Sequence, residues 1–147
     1  MEDTSTATPT GTGLPSVAVV VVAPDGRCAS ALGGLLTQRG VRPASITLVT
    51  AEVTEDENLV DPLIRTVRCD RADLDATCVE VTRQAEAEYV AFLRGEDAPL
   101  PDWLWHLSRA TRVHHGGGAA LVQCGALLVG DDDLVEGIEV PPSCLLG

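Results

Sequence analysis

"VAVVVVA", residues 17–23, is the stretch whose reading decides the fold. It is apolar throughout and shows no alternation. A strand with one wet face alternates apolar and polar side chains, because successive residues point to opposite faces. An unbroken β-branched run suits a strand covered on both faces, as in a parallel sheet. "PDG" at 24–26 ends it with two turn formers. The run is far too short to span a bilayer.

Working outward, "CASALGGLLTQRG" at 28–40 places Ala31, Leu32, Leu35 and Leu36 at helical spacing, with Gly40 as the expected C-cap. "ASITLVTA" at 44–51 reads as a second strand. "EVTEDENLVDP" at 52–62 is an acidic loop. "LIRTVRC" at 63–69 alternates and suits a short third strand. Residues 74–87 predict a helix capped near Asp73. "EYVAFL" at 88–93 predicts a fourth buried strand. Residues 101–113 predict a helix with Pro101 in its first turn, where the missing N–H costs nothing. "HHGGG" ends it. "AALVQCGALLVG" at 119–130 is a fifth strand or a hairpin arm. "DDD" turns the chain, and 134–147 reads as an extended tail. Residues 1–15, rich in Thr, Ser, Gly and Pro, predict a disordered leader before a domain at 16–147. Strands alternating with helices predict an α/β three-layer sandwich with a mainly parallel sheet. There are no internal repeats.

The chain has 147 residues, of which 45% are hydrophobic and 22% charged, enough for one globular domain with a real core. Formal net charge is −12, from 22 acidic and 10 basic residues, and every basic residue is Arg. That balance excludes a nucleic-acid backbone or an anionic membrane as the partner, since both need a basic face. The five cysteines are odd in number and lack CxxC spacing. They predict reduced, mostly buried thiols in a cytoplasmic protein rather than a disulfide framework or zinc site. No basic segment precedes an apolar one at the N-terminus, so no signal peptide is expected.

Ligands of parallel sheets bind at the carboxyl ends of strands. Three strand ends are therefore of interest: "APDG" at 23–26, "TAEVTED" at 50–56 and "RGED" at 94–97. Glu96 and Asp97, just past the fourth strand, are of the type that joins Mg²⁺ or Mn²⁺ to substrate phosphates. The same two acids also suit the positive end of the helix that follows. The loop at 52–57 has the composition of a solvated face. "GDDDLVEG" lacks the spacing of an EF-hand. His114 and His115 are adjacent and suit a helix C-terminus. No GxSxG, HExxH, GxxxxGK[ST] or GxGxxG occurs, and the "GGG" at 116–118 follows a helix instead of opening one. Trp103 and Trp105 lie on well-separated sides of one helix, which predicts one in the core and one partly exposed.

Several segments in this order resemble the opening half of a family 2 type glycosyltransferase with the GT-A fold. They are "SVAVVVVAP", "ALGGLLTQ", "SITLVTAE" and above all "AEYVAFL" with "LPDWL". "LLVGDDD" and "VPPSCLLG" are similar to later parts of that half, so the resemblance covers roughly 16–147. It implies a nucleotide-diphosphate sugar as ligand. The loop after strand one, here Pro24 and Asp25, and the acids after strand two would hold the nucleotide. An Asp-x-Asp after strand four would hold Mn²⁺ or Mg²⁺ and the diphosphate. The chain departs from that pattern at each place. Thr50 and Ala51 stand where the family has paired Asp, leaving Glu52 as the acid. Arg94 stands at the first Asp of the metal motif, followed by Glu96 and Asp97. An Arg there repels a cation and suits direct phosphate contact. The family's Arg-Asn-x-Gly is missing from "TCVEVTRQAEAE" at 77–88. The resemblance also implies an acceptor half beyond Gly147, with the general base in it, so no catalytic residue is assigned. It thus implies a degenerate and truncated transferase domain, completed by a protein partner or by self-association. Two alternatives stand beside it: a non-catalytic GT-A-like binding or scaffold protein, and an unrelated α/β module such as a flavodoxin-like regulator.

Overall fold

The computed structural model describes residues 14–113, 126–129 and 134–139. In chain order the elements are β1 (Val17–Ala23), α1 (Ala29–Leu36), β2 (Ser45–Thr50), a 3₁₀ turn (Glu57–Val60), β3 (Ile64–Arg68), a second 3₁₀ turn (Arg71–Asp73), α2 (Leu74–Gln84), β4 (Tyr89–Arg94), α3 (Trp103–Val113), β5 (Ala126–Val129) and β6 (Val135–Glu139). Four strands form a parallel sheet in the order β3-β2-β1-β4. One rung reads Arg65–Thr47–Val20–Phe92.

The unbroken run of β1 follows from this position. It has a strand on each side and helices on both faces. Val17, Val19, Val21 and Ala23 join Ile46 and Leu48 of β2 against Ala31, Leu32 and Leu35 of α1 and Leu104 of α3. The opposite face joins Val20 and Val49 to Val81 of α2, with Leu74 and Cys78 beside them. Two helices on one face and one on the other make three layers. Each fully buried Leu or Val contributes about 1.5–3 kcal/mol relative to exposure.

Several expectations change in detail. α2 stops at Gln84, not 87, with Ala85 already extended. The next residues are recruited to start β4: Glu88 N–H donates to Ser16 Oγ, and Ser16 N–H reaches Glu88 Oε1. Asp73 makes no side-chain cap; the 3₁₀ turn at Arg71–Asp73 winds directly into α2. α1 ends at Thr37, whose hydroxyl donates to Gly33 O, so Gly40 is not its cap. Gly40 does take positive φ, +84°, and lies under Trp105, where a Cβ would stand 2.9 Å from Cδ1. The acidic loop is ordered by its own carboxylates. Asp56 accepts from Asn58 N–H, and Asp61 accepts from Leu63 N–H.

β4 is only partly covered on its second face, where Val90 packs on the second core cluster. Its Tyr89, Ala91 and Leu93 pack on the first core cluster, but Phe92 is 52% exposed on the other side. Among the described residues no strand pairs with its outer edge. Trp103 and Trp105 are both half-buried, and Leu104 between them is the residue that enters the core. Residues 126–129 are a hairpin arm: β5 pairs antiparallel with β6 in a separate two-stranded sheet, Leu127 opposite Ile138. Most of the leader, His114, His115, the triple glycine, the triple aspartate, Cys124, Cys144 and the last eight residues lie outside the described residues. Among the described residues no helix is long and apolar enough to cross a membrane.

Candidate site at the carboxyl edge of the sheet

From β1 the chain runs to β2 and β3 on one side, then returns to β4 on the other. That reversal between β1 and β4 is a topological switch point, and α/β sheets bind their ligands outside the strand carboxyl ends at such points. A flavodoxin-like sheet would place β1 between β2 and β3, so the observed order is not flavodoxin-like.

The loop after β1 is a tight turn. Gly26 N–H donates to Ala23 O at 2.9 Å, and Gly26 adopts φ +82°, a conformation that favours glycine. Asp25 folds back on its own loop. One oxygen accepts from Arg27 N–H at 3.1 Å, and the other meets Arg27 Nε at 3.0 Å. The Arg27 N–H holds the Asp25 carboxyl below the usual carboxylate range, and the charges of Arg27 and Arg71 act in the same direction. Pro24 starts the turn and is half-buried.

The loop after β2 is tied to the first. Thr50, fully buried, donates to Glu52 O and accepts from Glu52 N–H, which turns the chain at once. Thr54 Oγ1 donates to Gly26 O at 2.7 Å. A Cβ on Gly26 would lie 3.6 Å from Glu52 Cβ, so the two loops are in contact. The Glu52 carboxylate faces Arg71 at 3.7 Å. Cys28, between this pair of loops and α1, is buried, and its burial pushes the thiol up, which makes it a poor nucleophile.

The loop after β4 closes on the first from the other side. Gly95 is buried; its N–H donates to Val22 O, and its carbonyl accepts from Ala31 N–H at the start of α1. A Cβ there would collide with the Arg27 carbonyl oxygen and stand 2.7 Å from Ala23 Cβ. Only glycine lets β4 end this close to the β1 loop. Arg94 then forks onto Asp97: Nε to one oxygen at 3.0 Å and Nη2 to the other at 3.3 Å. Glu96 is exposed.

α1 starts beside Gly95, and the start of α3 is fixed at the other end of α1, toward the amino-terminal edge of the sheet, where Ala44 N–H donates to Val17 O. Gln38 is buried and uses both ends of its amide. Its Nε2 donates to Leu100 O at 2.6 Å and to Gly34 O at 3.1 Å, and its Oε1 accepts from Leu104 N–H at 2.9 Å. The last bond satisfies one of the N–H groups that a helix start leaves unpaired. Pro99 seats on Gly34, where a Cβ would lie 2.6 Å from its Cδ. Gly95 at this edge, and Gly34 and Gln38 at the seat of α3, are residues that reading the chain segment by segment does not single out. The available signal was "ALGGLLTQ" preceding "LPDWL" in one sequence.

All six residues expected at the site, Pro24, Asp25, Glu52, Arg94, Glu96 and Asp97, lie at this edge. Their carboxylates do not converge on a point. Asp25 is held by Arg27, Glu52 by Arg71 and Asp97 by Arg94. Among the described residues no three His, Cys, Asp or Glu side chains are grouped to hold a metal. Mn²⁺ or Mg²⁺ on Glu96 and Asp97 would have to displace a guanidinium that engages both Asp97 oxygens. As arranged, this pair does not fit a divalent cation. The arrangement does offer three guanidinium groups, of Arg27, Arg71 and Arg94, at one edge of a strongly acidic protein.

No protein-family model matches this chain, and no curated protein matches it.

Proposed function

We propose that the chain is a glycosyltransferase-like domain that binds a nucleotide-diphosphate sugar in the crevice between β1 and β4. The observation that carries this reading is the convergence of three strand-end loops at the reversal of strand order, with Gly95 seated on the Arg27 carbonyl. The segments that resemble the transferase half, "ALGGLLTQ" and "LPDWL", are the ones joined by Gln38, which supports reading them as one unit. Fold likeness alone would not supply a function. The support is that Arg27 and Arg94 stand in the loops after β1 and β4, beside the proposed diphosphate position. No catalytic residue is assigned, and transfer by this chain is not part of the proposal.

The test is a thermal-shift panel of UDP, GDP, dTDP and their sugars, in EDTA and in Mn²⁺. A ligand that binds only the folded state raises the midpoint, by about 2.7 kcal/mol of stability at a hundredfold excess over Kd. A shift with one diphosphate is the expected result. A flat panel on folded protein would overturn it and favour the second reading, a non-catalytic scaffold. That reading draws on the exposed Phe92 and the outer edge of β4, which suit a protein partner or a second copy.

A further inference from the structure

Arg94 and Asp97 sit three residues apart on the turn that ends β4, and the turn itself is closed by Asp97 N–H donating to Arg94 O at 3.1 Å. The side chains lie outside the core, 67% and 42% exposed. Their contact is a two-point fork, guanidinium to carboxylate. A phosphate offers the same planar pair of acceptor oxygens and carries more charge, so it competes for the same face of the guanidinium. Exposed pairs of this kind hold weakly, so exchange is cheap. A divalent cation would need the reverse: Asp97 freed and Arg94 expelled from beside a metal.

Resting on the nucleotide-diphosphate reading above, we infer that the crevice takes its diphosphate without a divalent cation, with Arg94 as the counter-charge and Asp97 as the internal ligand that the phosphate displaces. Asp97 is then a competitor of the substrate. Removing its charge strengthens binding. If Asp97 were a metal ligand, the same change would abolish binding, so the two roles differ in sign.

The experiment is titration of the full chain with UDP, GDP and inorganic pyrophosphate, each in EDTA and in Mn²⁺, for wild type, Asp97→Asn, Arg94→Ala and Arg94→Lys. The expected result is binding of equal strength in both media. Asp97→Asn should tighten it about two- to fivefold, matching the weak hold of an exposed pair. Arg94→Ala should weaken it about tenfold or more, and Arg94→Lys should fall between, keeping the charge but losing the fork. Both side chains are exposed, so the variants should melt near wild type. Binding that needs Mn²⁺ and is lost in Asp97→Asn would overturn the inference and leave the nucleotide-binding reading standing. Absence of diphosphate binding in wild type and in Asp97→Asn, in either medium, would overturn both.

Discussion

At Gly95 a methyl group has no room. The obstacle on one side is backbone, the Arg27 carbonyl, and on another the Cβ of Ala23. Neither can swing aside like the end of a long side chain. Gly95→Ala should therefore force β4 and the β1 loop apart and cost about 2–3 kcal/mol, as overpacking does. Gly33 on α1 is the control, because nothing lies within 4 Å of where its Cβ would stand. Gly33→Ala should stabilise by about 0.5–1 kcal/mol through helix propensity alone. Urea unfolding of both variants checks the pair, and the sign is the measurement. A neutral Gly95→Ala would mean that the "RGED" turn does not rest on the β1 loop, and the crevice as drawn would fall. Nothing local in "LRGED" announces this role. The acids attract the eye, while the glycine matters because of a contact with a residue far earlier in the chain. Arg94 has the same character. Its residue type departs from the transferase pattern and is legible, but its fork onto Asp97 depends on how the turn closes.

Between elements, the decisive joint is Gln38. It lies just past α1, its N–H groups donate to Gly34 O of α1 and to Leu100 O before α3, and Leu104 N–H in the first turn of α3 donates to its oxygen. Gln38→Leu keeps the bulk and removes all three bonds in a buried place. The stranded Leu104 N–H and Leu100 carbonyl should cost about 2–4 kcal/mol together. Gln38→Glu keeps the acceptor for Leu104 and loses the donor, so it should fall between. Equal stability of Gln38→Leu and wild type, measured by denaturant midpoint at constant slope, would sink the account. Elements themselves were largely legible. β1 and β2 follow from largely apolar, β-branched runs, and α3 from its amphipathic spacing, although it starts at Trp103, so Pro101 precedes the helix and is not in its first turn. α2 was read three residues too long because Ala85 to Ala87 favour helix locally, while Glu88 is claimed by Ser16 at the start of the sheet. A buried strand is expected at 88–93 because "YVAFL" is mostly apolar. Sequence does not tell a central strand from one at the border, and Phe92 records the difference.

Strand order belongs to the whole molecule, and no stretch of sequence carries it. It distinguishes this sheet from a flavodoxin-like one and puts the three strand-end loops in contact. The loops were legible as candidates by the strand-end rule; their Arg–carboxylate pairing was not, since Arg71 meets Glu52 only because β3 lies beside β2. Charge is also a property of the whole. The ion pairs described here are exposed and individually weak, and salt weakens them further. Against them stands the mutual repulsion of a chain at −12, which salt relieves. Acid would mix the two effects. Asp25 has a folded-state carboxyl below its ordinary value, so its contribution is present above that ordinary value and is lost as pH falls through the folded one. Protonating the other carboxylates meanwhile relieves repulsion. Salt at neutral pH avoids that confusion. Raising NaCl from about 10 mM to about 300 mM shortens the screening length from about 30 Å to about 6 Å. With 22 acids against 10 arginines, most charged neighbours of a given carboxylate are carboxylates, and their repulsion extends further than the contact pairs do. The melting midpoint should therefore rise by about 2–5 °C, equivalent to roughly 1 kcal/mol for a domain of this size. A fall would mean that the Arg–carboxylate pairs outweigh the net charge, and the strand-end forks would then be structural clamps too costly to open for a phosphate.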